Sequence, residues 1–446
     1  MINVIIPMAG LGSRFTDYGF TLNKYLLPIN LKLTKMIESA ILTLNINENS
    51  RYVFIIREDL NIDIIKNTLH EICIKNNFNY DIIVINTLTD GPASTAIIAF
   101  EKLNIDLNAE LIISNSDQIL EWNFDNFSKS CREYDGCVLT YQPNYIPILG
   151  TIDKHSFIEL DSNNYGIRVT EKEVISNNTL VGVHYFKTGQ YFIDGYNYMV
   201  KNNIKAPNGE YYISLVYQAM IELGKKIGIH KLGNDEYFHP VGEPIDYFNY
   251  LNLSKDYNHN IINISDDYEL ASFNDTTITY NKYSKNKNIK NNYIKLILNG
   301  KVKIDDKYIS SGYFTNDNIE IIEESEIITI KSNILCNINE KQIWNRYDYT
   351  RGWFIGDFTP SIIKTSMFEV GMLEHKQNEK HGFHYHEHLI EINYLIKGTM
   401  ILNNTQIFAG QIFTLYKNQI ACPKFLEDCT LVCIKIPSVK GDKVII

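Results

Sequence analysis

The chain has 446 residues, a formal net charge of -10 and 45% hydrophobic residues, a length that fits two or three domains with ordinary cores. The acidic balance excludes a broad nucleic-acid-binding face and leaves only a local basic pocket for a small phosphate. Seven scattered cysteines without a CxxC pair, no stretch near the roughly 20 apolar residues of a membrane span, and an apolar run at 2–8 too short and without the basic leader of a signal peptide predict reduced thiols in a cytoplasmic protein.

The first element is a buried strand in "NVIIPM", which runs into "AGLGSRF". Gly10 and Gly12 let backbone approach a ligand without a Cβ in the way. Backbone N–H groups in such a loop cradle phosphate oxygens, and Arg14 adds a permanently charged fork. The loop is neither G-x-x-x-x-G-K-[ST] nor a full G-x-G-x-x-G. A helix follows in "KMIESAILTLN", a strand in "YVFIIR", a helix in "NIDIIKNTLHEICIKN" and a strand in "YDIIVIN". "ASTAIIAFEKL" predicts a helix, with Asp90 or Ser94 as its cap, and "AELIISNSD" a strand ending at Asp117. This alternation predicts an α/β sandwich with a mainly parallel sheet. Sites in such sheets lie outside the carboxyl ends of the strands, where both the glycine loop and "SNSD" fall.

The pattern breaks at 253–285, a polar stretch read as a linker. From 286 to 446 short alternating strands predict an all-β region carrying a weak internal repeat. "LILNGKVKIDDKYISSGYF" aligns with "YLIKGTMILNNTQIFAGQIF", so that Gly300 and Gly312 match Gly398 and Gly410. "SEIITIK" likewise matches "CTLVCIK". Two barrel halves are expected, a degenerate one at 286–335 and one bearing motifs at 350–446. In the latter, His384 and His386 share one face of a strand, and with Glu391 they offer imidazole and carboxylate ligands for a divalent transition metal.

The order of the front motifs resembles the sugar-phosphate nucleotidyltransferase family. "MAGLGSRF" followed by Lys24 in "NKYLLP" is similar to its G-x-G-x-R and P-K-x-L-x-P signature, with Asn23 in place of the usual proline. The resemblance implies a Rossmann-like (GT-A-like) fold over 1–252 and a nucleotide held by Ala9, Gly10, Gly12, Gly91, Pro92 and Ala93. It implies Arg14, Lys24 and Asp117 as catalytic residues, with Asp117 on a Mg²⁺ or Mn²⁺ ion. Gly150 in "ILGTID" and Glu171 and Lys172 in "VTEKEV" would bind the acceptor; an adjacent E–K pair is otherwise an ordinary surface pair. Where the family carries a second metal-binding aspartate, this sequence has Pro240, with Glu243 close by. "SNSDQ" resembles capsule-pathway members, some of which use CTP and a non-sugar acceptor.

The implied reaction transfers a nucleotidyl group from an NTP to a small phosphorylated acceptor with release of pyrophosphate, making a precursor for surface polysaccharide. The alternatives are a glycosyltransferase, which would want a D-x-D motif absent here, and a degenerate front domain attached to an active barrel. The histidine segment resembles the first motif of the cupin family. Ala421 stands near the expected fourth ligand, so the metal set is incomplete or three-liganded. For the cupin half, three roles stay open: homo-oligomerisation, binding of a glycan precursor, or rearrangement of a sugar.

Overall fold

The computed structural model describes residues 1–47, 49–58, 61–143, 145–253, 260–334 and 342–446. The chain divides into two compact units, Met1–Leu253 and Ser254–Ile446.

The front unit is Rossmann-like α/β. Its strands are β1 (Ile2–Met8), β2 (Ser50–Arg57), β3 (Asn79–Ile85), β4 (Leu111–Ser114), β5 (Gln118–Glu121), β6 (Gly136–Tyr141), β7 (Ile152–Leu160), β8 (Gly166–Glu173), β9 (Thr179–Phe186), β10 (Ile227–Lys231) and β11 (Tyr237–Pro240). The main sheet runs β10-β6-β9-β4-β1-β2-β3, with β7 and β8 attached at β9. β1 lies parallel to both β2 and β4, while β9 is antiparallel to β4 and β6. Helices cover both faces, so β1 and β2 are buried on each side and read as continuous apolar runs. Val4 and Ile6 of β1 enter one core with Tyr52, Phe54 and Ile56, while Ile5 enters the other with Val53 and Ile55. The helix expected in "ASTAIIAFEKL" is two short ones, Pro92–Ala96 and Ile98–Lys102.

The second unit is built almost wholly of strands. Residues 260–285, read from the sequence as linker, instead form the strands Asn260–Asn263, Tyr268–Phe273 and Thr276–Tyr283, and 254–259 lie outside the described residues. The polar look of "TTITYNKY" hides a period of two: Thr276, Ile278 and Tyr280 are buried, and the strand pairs along its whole length with Ser325–Ser332. The unit therefore starts its strands earlier than the expected boundary at 286.

Two halves of this unit share one strand plan. The first runs Ile294–Asn299, Lys301–Ile304, Lys307–Ser310, Tyr313–Thr315, Ile319–Ile321, Ser325–Ser332. The second runs Ile390–Lys397, Thr399–Leu402, Thr405–Phe408, Gln411–Leu415, Pro423–Phe425, Cys429–Ile436. In each, the first strand pairs with the fourth and sixth, and the second with the third and fifth. Gly300 and Gly398 both make the turn between the first two strands, at φ 88 and 95. A Cβ on Gly300 would strike Ser325 and one on Gly398 would strike Cys429, the same place in each half. A shared core joins the halves, with Leu296, Phe314, Ile328 and Ile330 packed against Val370, Tyr394, Val432 and Ile434.

Candidate active site

β1 ends at Met8 and β4 at Ser114, and because the two strands are parallel neighbours their following loops lie side by side. The loop after β1 turns at Gly12, which has φ 67 and precedes the short helix Ser13–Tyr18. Lys24 follows on a single helical turn, started by Asn23, whose side chain accepts from the Tyr25 N–H at 3.1 Å. The loop after β4 carries Asp117. Lys24 Nζ and Asp117 Oδ2 meet at 2.5 Å, with 15% and 23% of their side chains exposed. Burial works against the Lys24 charge and Asp117 more than offsets it, so its pKa lies above the ordinary lysine value. A Cβ on Gly242 would stand 2.8 Å from Asp117 Oδ2, so this glycine is what allows the carboxylate its place.

Asp117 lines a cavity of about 270 Å³ together with Arg14, Pro92, Glu171 and Lys172. Arg14 stands at the rim, 62% exposed, with Nη1 2.8 Å from Glu243 Oε1. Glu171 is buried; its Oε2 accepts from Ser156 and, at 2.8 Å, from Ser214. Burial raises its pKa, and the two serine hydrogen bonds offset this only in part. Lys172 has a positive φ of 64, and its ammonium lies 5.1 Å from the centre of the Tyr212 ring.

Lys24 reaches Asp117 without itself lining this cavity, and Gly12 lies beside Lys24. Ala9, Gly10, Gly12, Gly91, Ala93 and Gly150 do not line this cavity. Gly91, at φ 121, packs so closely on the chain at Tyr211 that a Cβ would lie 2.6 Å from the Tyr211 carbonyl oxygen. Ala93 N–H donates to that same oxygen at 3.0 Å. Gly150 is exposed at φ 79, with its N–H on the Val174 carbonyl at 2.9 Å.

Pro240, expected where the resembled family has a carboxylate, lies beside Gln118 in the β5–β11 pair and lines the cavity without offering a ligand. Glu243 and Asp246 put carboxylates into the same cavity. Asp246 and its partner Lys154 (2.6 Å) were missed in the sequence, as were His155 and His184. The alternation of "IDKHSF" along β7, with Lys154 and Ser156 on one face, was the available signal. His184 is buried, with its pKa pushed down to about 3 by that burial, and its Nδ1 has no hydrogen-bond partner among the described residues. Carboxylates suit a hard divalent cation, but Asp117 is already paired with Lys24 and Glu243 with Arg14, so either would have to give up its partner to hold one.

The second half of the β unit encloses a cavity of about 570 Å³ that includes His384, His386 and Glu391. These three do not converge as a metal set. His384 Nδ1 lies 3.1 Å from the Gly382 carbonyl oxygen, and the ligand atoms of the three do not gather within reach of one ion. Glu391 Oε2 is shared by His386 Nε2 at 3.2 Å and Lys435 Nζ at 3.5 Å. Burial alone would raise the Glu391 pKa; His386 and Lys435 hold it well below the carboxylate range. An ammonium already neutralises the carboxylate that the metal would need. Ala421 pairs with His384 through N–H···O bonds of 2.7 and 3.0 Å, so the residue beside the first histidine has no ligand atom to give.

Among the described residues no helix is long and apolar enough to cross a membrane. No protein-family model matches the chain, and no curated protein matches it. Solved structures with a similar course include a nucleoside-diphosphate-sugar pyrophosphorylase from Vibrio cholerae RC9, at 22% identity and TM-score 0.46, covering 56% of this chain and 99% of that one. A putative glucose-1-phosphate thymidylyltransferase from Bacillus anthracis matches at 16% identity and TM-score 0.45, over 58% of this chain and 97% of that one. The inositol-1-phosphate CTP transferase from T. maritima matches at 12% and 0.43, over 56% and 94%. These are likenesses of structure alone, and none of them identifies the activity.

Proposed function

We propose that the front unit transfers a nucleotidyl group from an NTP to a small phosphorylated acceptor and releases pyrophosphate. The observation that carries this reading is the meeting of Lys24 and Asp117 at 2.5 Å, at the adjoining carboxyl ends of β1 and β4. A cation and an acid at a strand-end crevice, with Arg14 on the rim, form a place where phosphate charge is met from two sides. In this reading the acceptor's phosphate oxygen attacks the α-phosphorus in line as the bond to pyrophosphate breaks. The oxygen is nucleophilic as it stands, so the protein's part is positioning and neutralisation. Lys24 meets the charge growing on the α-phosphate, Arg14 turns from Glu243 to the departing pyrophosphate, and Lys172 holds the acceptor phosphate. Glu171, fixed by Ser156 and Ser214, orients acceptor hydroxyls. A Mg²⁺ or Mn²⁺ ion held by Asp117 and Glu243 would neutralise oxygens of the α-phosphate.

The resemblance of "SNSDQ" to capsule-pathway sequences favours an NDP-linked precursor of surface polysaccharide as the product. The second unit is best read as a two-half cupin barrel, supported by its repeated strand plan.

The test is pyrophosphate release with each of four NTPs, Mg²⁺ and a panel of sugar 1-phosphates and phosphorylated polyols. Lys24→Ala and Asp117→Asn should each cut turnover by about 10²-fold or more while circular dichroism shows the fold intact. Near-normal turnover in either variant removes the assignment. Absence of pyrophosphate with every pair, alongside cleavage of an NDP-sugar, would favour the glycosyltransferase reading.

A further inference from the structure

The strand Glu369–His375 places His375 at its end, at the mouth of the barrel cavity. The chain then turns tightly. Glu379 N–H donates to the Lys376 carbonyl at 3.0 Å, Asn378 takes a φ of 63, and His381 returns beside His375. Three ligand atoms converge there. Glu379 Oε1 is 3.3 Å from His375 Nδ1 and 3.0 Å from His381 Nε2, and the two ring nitrogens are 3.2 Å apart.

Hydrogen bonds do not account for all three contacts. If both imidazoles donate to Glu379 Oε1, the carboxylate satisfies both, but the two N–H groups then stand 3.2 Å apart with like polarity. If one imidazole donates to the other, the carboxylate loses a donor. A metal ion meets all three lone pairs at once. Donors 2.0–2.1 Å from a tetrahedral ion stand about 3.3–3.4 Å from one another, close to the separations seen.

The supporting contacts fix the side chains in this pose. The His375 ring stacks on Phe425 at 4.3 Å and 7°. The Lys376 N–H holds Glu379 Oε2 at 3.1 Å, which turns Oε1 toward the histidines. Such outer contacts are what orient metal ligands. Lys443, the ammonium nearby, lies 3.5 Å from the His381 carbonyl oxygen.

We propose that His375, Glu379 and His381 form a site for a divalent transition metal of the zinc class, bound by two imidazole nitrogens and one carboxylate oxygen, with its remaining coordination facing the barrel cavity. Two imidazoles and a carboxylate are a borderline donor set, suited to zinc, cobalt, nickel or iron rather than magnesium. The site stands in a different unit from the nucleotidyl-transfer site and does not depend on that reading.

The test uses the full chain, stripped with a chelator and titrated with Co²⁺. Metal content is counted per chain and the visible spectrum recorded. The expected result is one Co²⁺ with the intense bands of a four- or five-coordinate nitrogen–oxygen site, unlike the weak bands of an oxygen-only site in the front unit. Glu379→Gln and His381→Asn should each weaken this binding by at least about tenfold, while His386→Asn should leave the bands in place. Lack of such bands in the native chain, their survival in Glu379→Gln, or their loss in His386→Asn would overturn the assignment. Glu379 lies on an exposed turn, so its variant decides the matter even if His381→Asn fails to fold.

Discussion

The two halves of the β unit share a strand plan and differ in what they enclose. The first is filled by Ile297, Val302, Ile304, Ile309, Ile319, Ile321 and Ile327. At matched positions the second has Leu395, Met400, Leu402 and Leu431, but it opens into a cavity of about 570 Å³ that also holds histidines, carboxylates and cations. One matched pair shows the divergence closely. Lys295 in the first half is fully buried, its ammonium donating to the carbonyl oxygens of Asn291, Tyr293 and Asp317. Asn393 stands at the same place in the second half and donates to Glu391 Oε1 at 2.9 Å. One residue closes off backbone and the other holds a carboxylate that is paired with His386 and Lys435. The strand plan therefore does not decide between a plug and a pocket; the interior side chains do. A filled half supplies packing that leaves its neighbour free to bury polar groups at a cost in stability.

The sharpest test of this difference truncates matched interior residues. Ile327 is fully buried in the filled half, and Leu431 lines the cavity of the open half. Large-to-small core changes cost about 2–5 kcal/mol, rising with the void left behind. Ile327→Ala should fall near the upper end, about 4 kcal/mol, because the isoleucines around it leave a new dry void. Leu431→Ala should cost about 2 kcal/mol, since its void joins a space that is already open. Denaturant midpoints of the two variants measure this, and equal costs would break the comparison.

The buried lysine gives the next largest effect, read in pH. Burial pushes the Lys295 pKa down from 10.5 to about 8, and Asp317 offsets this only in part. Between those values the unfolded chain binds the extra proton, so stability rises as pH rises from about 8 to 10.5. The gain should be about 3 kcal/mol across the window. It should appear in full in the difference between the native chain and Lys295→Met, which has nothing there to titrate. Parallel pH curves for the two proteins would show that the first half holds no buried charge.

Much of this architecture was legible in the sequence. The front motifs lie at strand ends because apolar runs such as "NVIIPM" stop at polar residues, and the repeat was visible because both glycines of each half must take a positive φ. The residues that failed to show had no local signal. His375 and Glu379 form a cluster only because a turn folds back on its strand, whereas His384-x-His386 has a spacing that catches the eye and no convergent geometry. The linker was misread because strand alternation in "TTITYNKY" rests on threonine and tyrosine, which a polarity scan counts as loop. Pro240 lies beside Gln118 at the front cavity and Ala421 pairs with His384, neither offering a side-chain ligand atom. Glu243 was noted beside Pro240 in the sequence, whereas Asp246 has no motif around it; both come from the turn and helix that follow and line the front cavity.

The smallest predicted effect asks whether the halves act separately. Gly312 and Gly410 occupy matched turns, with φ of 87 and 90. An alanine at either position pays for the left-handed conformation, about 1 kcal/mol. At Gly410 nothing stands within 4 Å of the added Cβ, so that strain is the whole cost. At Gly312 the Cβ would lie 3.2 Å from Arg346 Nε and 3.3 Å from its Cδ. Arg346 has little room to yield: its side chain is 9% exposed, it is paired with Glu374, and it lines the cavity of the second half. Gly312→Ala should therefore cost about 2 kcal/mol, twice its counterpart. It should also disturb the cavity across the shared core, seen as altered amide exchange at His375 and Trp353, while Gly410→Ala leaves those amides unchanged. Equal costs and silent exchange would mean that the filled half only supports the open one. Unequal costs would mean that a turn of the first half sets the position of an arginine that lines the cavity of the second.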